Sequence, residues 1–361
     1  MKPCEPPPPS PTADFSARLI AWQKTHGRHD LPWQHGEPYG VWVSEIMLQQ
    51  TQVQTVIGYY ARFMARFPTI DALAEADEAA VMEAWSGLGY YARARNLHRA
   101  AREVVTRFGG RFPSAVADIE SLPGIGRSTA AAIASFCFGA QEAILDGNVK
   151  RVFARFFGID GFPGVRAVEQ RMWALAGELM PAREGAIYTQ ALMDLGATVC
   201  TRSRPRCDAC PVSTACVARA SGRQRELPAP RPAKVRPQRL RFALLLVSRG
   251  QVLLERRPGH GIWGGLLSLP ELAAQTPSDA AVEATGWLAA HGLTAGEPEV
   301  MTPIVHGFTH FELHLVPLRL RIPAPGAIAG ETSLQWLPLA DAHDAALPAP
   351  VRRLLGRTDI E

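Results

Sequence analysis

At 361 residues, nearly half of them hydrophobic, the chain is long enough for two domains with a core each. Its formal charge of +4 permits nucleic acid as a partner without requiring it. No apolar run approaches the ~20 residues of a membrane span, and the Pro-rich start, residues 1–14, lacks the apolar centre of a signal peptide and is expected to be disordered. A soluble intracellular protein is expected.

Residues 15–220 are predicted to be mainly α. Helical spacing or strong helix composition covers 41–63, 78–85, 90–108, 128–138, 149–157, 168–180 and 186–200, with Pro68, Pro113, Pro123, Pro163 and Pro181 as punctuation. Residues 221–238 open a Pro- and Arg-rich stretch that reads as an extended basic linker. From 239 to 357 the pattern is α+β. The apolar runs 242–247 and 252–254 flank Ser248-Arg249-Gly250 as a hairpin would, Phe311, Leu313 and Leu315 alternate with polar residues, and 279–291 and 339–347 look helical.

Three groups of residues carry chemistry. Leu122-Pro123-Gly124-Ile125-Gly126 should form a tight turn opening a helix at Arg127, where unpaired N–H groups and the helix dipole suit a phosphate. A lone acid, Asp146, follows about twenty residues later. Glu45 lies beside an apolar stripe of a helix. It is either a desolvated acid with a raised pKa, fit to donate a proton, or a surface glutamate at the stripe's edge. Cys200, Cys207, Cys210 and Cys216 are spaced C-x6-C-x2-C-x5-C. Crowding of this kind in a reducing compartment points to metal rather than disulfides, and the spacing alone does not choose between zinc and iron–sulfur. Cys4 falls in the tail and Cys137 reads as core.

The wording Ser44-Glu-Ile-Met-Leu-Gln-Gln-Thr-Gln52 resembles the signature of MutY-type adenine DNA glycosylases. The resemblance continues in Gly87 to Leu97, Leu122 to Ser128, Leu145 to Arg151 and the cysteine cluster. It implies a helix–hairpin–helix glycosylase half, made of a six-helix barrel and an iron–sulfur helical domain, followed by a Nudix/MutT-like domain. It also implies a 4Fe-4S cluster on the four cysteines. The implied partner is double-stranded DNA with adenine opposite 8-oxo-guanine or guanine, bound by a monomeric, cytoplasmic, nucleoid-associated bacterial enzyme. By position, Glu45 resembles the acid that protonates adenine, Asp146 the carboxylate that stabilises the sugar cation, and Asn148 the residue beside it. Gln49 and Gln50 match base-edge contacts, Tyr90 a wedge beside the lesion, and Gln190 an adenine-pocket position. Gly124 and Gly126 belong to the phosphate grip. Bifunctional relatives such as endonuclease III carry a lysine where this chain has Ser128, so the resemblance implies a monofunctional enzyme.

In the C-terminal part Gly265 and Glu271 fit the start of a Nudix motif. Asp279-Ala280 stands where Arg-Glu should be and the acid pair is missing, so nucleotide hydrolysis is not expected. Phe308-Thr309-His310 matches the loop that recognises 8-oxo-guanine in relatives, with Thr for the usual Ser. The competing classes are a glycosylase with lyase action or thymine or uracil specificity, and a lesion-binding protein without chemistry. Ser128 weighs against the first, and the presence of both Glu45 and Asp146 against the second.

Overall fold

The computed structural model describes residues 14–34, 36–232, 235–259, 261–308, 310–325, 333–342, 345–357 and 360. Thr309, Cys4 and all of the expected disordered tail except Asp14 lie outside them. The helices of the first two-thirds are α1 (Phe15–His26), α2 (Pro38–Leu48), α3 (Val53–Arg66), α4 (Ile70–Glu75), α5 (Glu78–Ala84), α6 (Ala92–Phe108), α7 (Val116–Glu120), α8 (Arg127–Phe138), α9 (Gly147–Phe156), α10 (Arg166–Glu178), α11 (Gly185–Asp194) and α12 (Val217–Ala220). The chain divides into two compact units, residues 1–74 with 99–233, and residues 75–98 with 234–361.

The first unit is helical. One core gathers Phe15 and Leu19 of α1, Val149, Val152 and Phe153 of α9, Met172 of α10 and Tyr188 and Leu192 of α11. The Phe15 ring lies 4.6 Å from Phe156 and 6.0 Å from Phe153. Phe153 is fully buried, so truncation to Ala should cost about 3–5 kcal/mol. Elsewhere α8 is buried from Ala130 to Ser135, and the small Ala130, Ala131, Ala132 and Ala134 let α2 and α7 pack against it closely. Gly139, at φ +68°, ends α8 in the left-handed conformation, and the N–H groups of Gly139 and Ala140 return to Ser135 O and Ala134 O.

Two expected helices are interrupted. The span 41–63 is broken between α2 and α3, because Gln50 takes φ +58° and the N–H of Thr51 turns back to Leu48 O. The span 186–200 is α only to Asp194, and Leu195–Val199 continues as a π turn. Tyr90 and Tyr91 precede α6 rather than opening it.

The second unit is built on an eight-stranded mixed sheet: β1 (Gln238–Ser248), β2 (Gln251–Arg256), β3 (Leu267–Ser268), β4 (Glu271–Leu272), β5 (Glu299–Val300), β6 (Ile304–Gly307), β7 (Glu312–Arg321) and β8 (Leu334–Pro338). The expected hairpin joins β1 to β2 with Val247 opposite Val252, and Arg249 (φ +46°) and Gly250 (φ +73°) supply its turn. β1 also runs parallel to β7, with Phe242 opposite Val316. Phe242, Leu244 and Leu246 form a core with Ala280, Ala284 and Leu288 of α13 (Pro277–Ala290). Ala243, Leu245 and Val247 on the other face are buried too, which explains the unbroken apolar run in the sequence. Among the described residues of the expected helix 339–347, Leu339–Ala342 form α14 and 345–347 are not helical, and α15 (Ala349–Leu355) follows with Pro348 and Pro350 at its start.

Candidate active site

Asp146 is placed by its own helix. It is the N-cap of α9, and its Oδ1 accepts the Val149 N–H at 2.8 Å. The preceding residue is fixed from α8, where Ser128 Oγ accepts the Leu145 N–H at 3.0 Å. Ser128 thus occupies the second helix of the hairpin motif and bonds to the chain that delivers Asp146. Asn148 stands in the first turn of α9, with its Nδ2 3.5 Å from Asp146 Oδ2.

Glu45, on α2, is half-buried: solvent reaches part of it, yet protein encloses the carboxyl. Burial first, and then the nearby Asp146 carboxylate, together push its pKa up to about 8. Burial raises Asp146 as well, but the Val149 and Asn148 N–H groups and the charges of Arg151 and Lys150 pull it back toward ionisation. The site therefore pairs an acid that keeps its proton at neutral pH with one surrounded by donors and cations. Two carboxyl groups driven apart in this way can act as proton donor and anion. They form a coupled pair, so solution titration reports the values of the pair.

Behind Asn148 lies a set of contacts that the sequence did not reveal. Arg151 Nη2 donates to Asn148 Oδ1 at 2.9 Å and to Gly196 O at 2.7 Å, and its Nε donates to Cys200 O at 2.8 Å. Gly196 sits in the π turn, and a Cβ there would fall 2.5 Å from Asn148 Cβ. Gln190 Nε2 donates to Asp194 Oδ1 at 2.9 Å, and the buried Asp194 also binds Arg28, through its backbone N–H at 2.8 Å and its Nε at 2.7 Å. Lys150 Nζ lies 2.5 Å from Glu169 Oε1. The i, i+4 spacing of Arg151 and Arg155 just after Asp146 was the available sequence signal.

The glycine turn is as expected. Gly124 takes φ +81°, Gly126 is the N-cap of α8, and nothing stands within 4 Å of the place a Cβ would take on Gly126. Gln49 Nε2 lies 3.4 Å from Gly124 O, and Gln50 is exposed at the tip between α2 and α3.

Cys200, Cys207, Cys210 and Cys216 line one pocket, together with Arg155, Val199 and Arg206. Arg155 is buried and holds the loop by donating to Thr201 O at 2.7 Å, Arg202 O at 2.9 Å and Leu227 O at 2.8 Å, with Nη1 3.4 Å from Cys200 Sγ. Burial pushes the Cys210 thiol up to about 11 and also raises Cys216, with the neighbouring cysteines adding to both. A cationic centre among the four sulfurs would reverse that cost, so the donor set fits a thiolate-bound metal group. Of the arginines inside the loop, Arg202 and Arg204 point to solvent, while Arg206 donates to Thr198 O at 2.7 Å.

In the second unit Tyr90 is half-exposed on the turn before α6. Phe308 and His310 lie between β6 and β7, and the Phe308 N–H donates to Phe311 O at 2.8 Å. Phe308 stacks on Phe311 at 4.6 Å and lies 4.7 Å from His306 and 5.7 Å from Trp263. Phe311, expected as a strand residue, lies just before β7 and packs on Phe308. Thr309 falls outside the described residues. The Glu271 carboxylate is occupied by Arg257 at 2.5 Å, and Asp279 bonds Thr276 at the start of α13.

Comparison with known proteins agrees with this architecture. Residues 43–178 match the model of the HhH-GPD superfamily of base excision DNA repair proteins, and residues 242–357 match the NUDIX domain. The helical half resembles a thermostable thymine-DNA glycosylase (28% identity, TM-score 0.54, covering 58% of this chain and 97% of that one), and it has the fold of endonuclease III bound to DNA (20% identity, TM-score 0.51). The class is therefore a DNA glycosylase of base excision repair.

An adenine DNA glycosylase of Buchnera aphidicola from Acyrthosiphon pisum is 34% identical over 94% of this chain and 96% of its own length. The human adenine DNA glycosylase is also 34% identical, over 94% of this chain and 73% of its own. The chain belongs to the MutY-type adenine DNA glycosylase family. Homologues of the endonuclease III and MutY families generally carry a 4Fe-4S cluster. Among the described residues no helix is long and apolar enough to cross a membrane.

Proposed function

We propose that this protein hydrolyses the N-glycosidic bond of adenine mispaired with 8-oxo-guanine or guanine in duplex DNA. It acts as a monomer and leaves an abasic site. The observation that carries this reading is the Glu45–Asp146 pair, with the Glu45 pKa near 8 and the Asp146 carboxylate amid donors. Adenine is a poor leaving group until protonated. Glu45, still protonated at neutral pH, gives its proton to the flipped base as the C1′–N bond breaks and the bonding pair leaves with the base. The sugar is left as an oxocarbenium ion, and Asp146 stabilises that charge. Water then adds to C1′, and the proton it loses restores Glu45. Asn148, held by Arg151, orients the sugar or the water.

Ser128 has no amine to attack the sugar, and Lys150 is engaged by Glu169, which supports hydrolysis without a Schiff-base lyase step. The N-terminus of α8 with Gly124 and Gly126 grips a phosphate, Gln49 and Gln50 meet base edges, Gln190 lines the adenine pocket, and Tyr90 enters the duplex. Phe308, Thr309 and His310 read the opposite base. Cys200, Cys207, Cys210 and Cys216 would hold the 4Fe-4S cluster. Among the described residues no three His, Cys, Asp or Glu groups gather as they would for a single ion, although the four cysteines share one pocket. A bound cluster supplies metal–thiolate links that fasten the loop.

The test is single-turnover adenine release from a duplex with adenine opposite 8-oxo-guanine, with and without alkali. Glu45→Gln and Asp146→Asn should each abolish release while keeping DNA binding, and the wild type should need alkali for strand scission. Release at near wild-type rate by either variant removes that residue from its role, and scission without alkali overturns the monofunctional assignment.

A further inference from the structure

Tyr90 is 52% exposed and takes φ +51°. A non-glycine residue pays roughly 1 kcal/mol or more for that backbone. Gly87 (φ +92°) and Gly89 (φ +77°) share the turn. The near side of the turn is held by its own neighbours. Trp85 Nε1 and Arg93 Nη2 both donate to Gly89 O, at 3.2 and 3.0 Å, and the Arg93 guanidinium lies 5.5 Å from the Tyr90 ring.

The other side is held by residues far along the chain, all in the same unit. Arg352 Nη2 donates to Ser86 Oγ at 2.6 Å and to Ala345 O at 2.8 Å, and Ser86 Oγ donates to Ala345 O at 3.2 Å. The Tyr91 hydroxyl donates to Leu347 O at 3.2 Å while accepting the Gly87 N–H at 3.2 Å. Arg95 donates to Gly264 O. These anchors fall at 86, 91 and 95 and straddle Tyr90.

We infer that Arg352, together with the Tyr91–Leu347 bond, positions Tyr90, so that the C-terminal domain stiffens the wedge as well as reading the opposite base. This rests on the reading above, in which Tyr90 enters the duplex. A half-exposed ring on a strained backbone gains little from packing. Held rigid, it loses little further freedom when it inserts between bases. Release of the anchors would let the turn relax out of the left-handed region and withdraw the ring.

The experiment uses the full chain and a duplex with 2-aminopurine beside the base opposite adenine, whose fluorescence rises on unstacking. Single-turnover release is measured on the matching unlabelled duplex. Arg352→Ala and Tyr91→Phe should each diminish the fluorescence rise and slow release about fivefold to tenfold. Arg352→Lys, which keeps a donor, should recover part of the loss. In a Tyr90→Ala background neither substitution should cost anything more.

Losses of the same size with and without the Tyr90 ring would overturn the inference and make Arg352 a residue of the fold. So would unchanged fluorescence in Tyr91→Phe, which carries the test alone if Arg352→Ala does not fold. A full fluorescence rise in Tyr90→Ala removes the wedge and the inference together. A Tyr90-dependent rise without adenine release overturns the adenine reading alone, and the fluorescence arms then decide the inference.

Discussion

Glu45 places a cost of chemistry on the fold. In the unfolded chain its carboxyl titrates at the ordinary value of about 4.5, and in the folded protein it is pushed up to about 8. Between those pH values the folded state holds more protons than the unfolded one, so this group's contribution to stability falls as pH rises through that window. Glu45→Gln should therefore raise Tm relative to wild type progressively from pH 4.5 to 8, on the order of 5 °C at the upper end, with no further gain above it. Thermal melts of the two proteins across that range check this. On the proposed role of Glu45, the same proton should set an alkaline limit to activity, with kcat/KM falling above about pH 8.

Gly126 separates folding from binding. Its φ of −104° suits any residue and a Cβ there meets nothing, so Gly126→Ala should leave Tm unchanged while weakening duplex binding by filling the phosphate approach. Affinity equal to wild type would show that no phosphate comes there. Glu45, Asp146 and the four cysteines were legible in the sequence because each lies in a short motif. The partners of Arg151 were not: it meets Cys200 across 49 residues and Gly196 across 45, and the i, i+4 spacing of Arg151 and Arg155 signals a shared helix face without naming what that face meets.

The element that matters most is α9. Its first turn is capped by the candidate catalytic carboxylate, and its next two turns carry the arginines that hold the cysteine loop. Asp146→Asn can keep the cap, whereas Asp146→Ala loses it at about 1 kcal/mol, so only the alanine variant should lower Tm appreciably. Iron and sulfide analysis should give about four of each per chain. Stoichiometric zinc without iron–sulfur absorbance would sink the cluster. Element boundaries were less legible than element types. Apolar residues recur at helical spacing on both sides of Gln49–Gln52, and the break between α2 and α3 comes with the left-handed Gln50 and the Thr51 N–H turned back to Leu48 O. The widening of α11 into a π turn has no signature in composition, and the close approach that reserves Gly196 within it, to Asn148, is made 48 residues away.

At the scale of the molecule, the change from helical to alternating pattern located the sheet-bearing part, and Gly265 and Glu271 pointed to its Nudix-like character. Glu271, the acid that did fit the motif, is in fact taken by Arg257. Not legible was the grouping of 75–98 with the C-terminal residues, which no periodicity encodes. This grouping bears on how opposite-base reading is tested. Deleting the C-terminal domain removes the Phe308–His310 loop and also the anchors of Tyr90, so a point substitution is cleaner. His310→Ala should lower the cleavage ratio of adenine opposite 8-oxo-guanine to adenine opposite guanine. The loss should reach about fivefold or more if one hydrogen-bonded base contact is removed. An unchanged ratio would leave the loop without that role.

The parallel pairing of β1 with β7 has a consequence for synthesis. A ribosome releases the helical residues first, and their core can close early, whereas Phe242 of β1 must wait for Val316. The turn bearing Tyr90 emerges before residue 100 yet finds its anchors only when Ala345, Leu347 and Arg352 arrive. Order of synthesis and order of assembly thus differ. A nascent chain halted in between carries a finished helical core and a slack, protease-accessible tyrosine turn, so a premature stop near the C-terminus does its damage a quarter of the way along the chain.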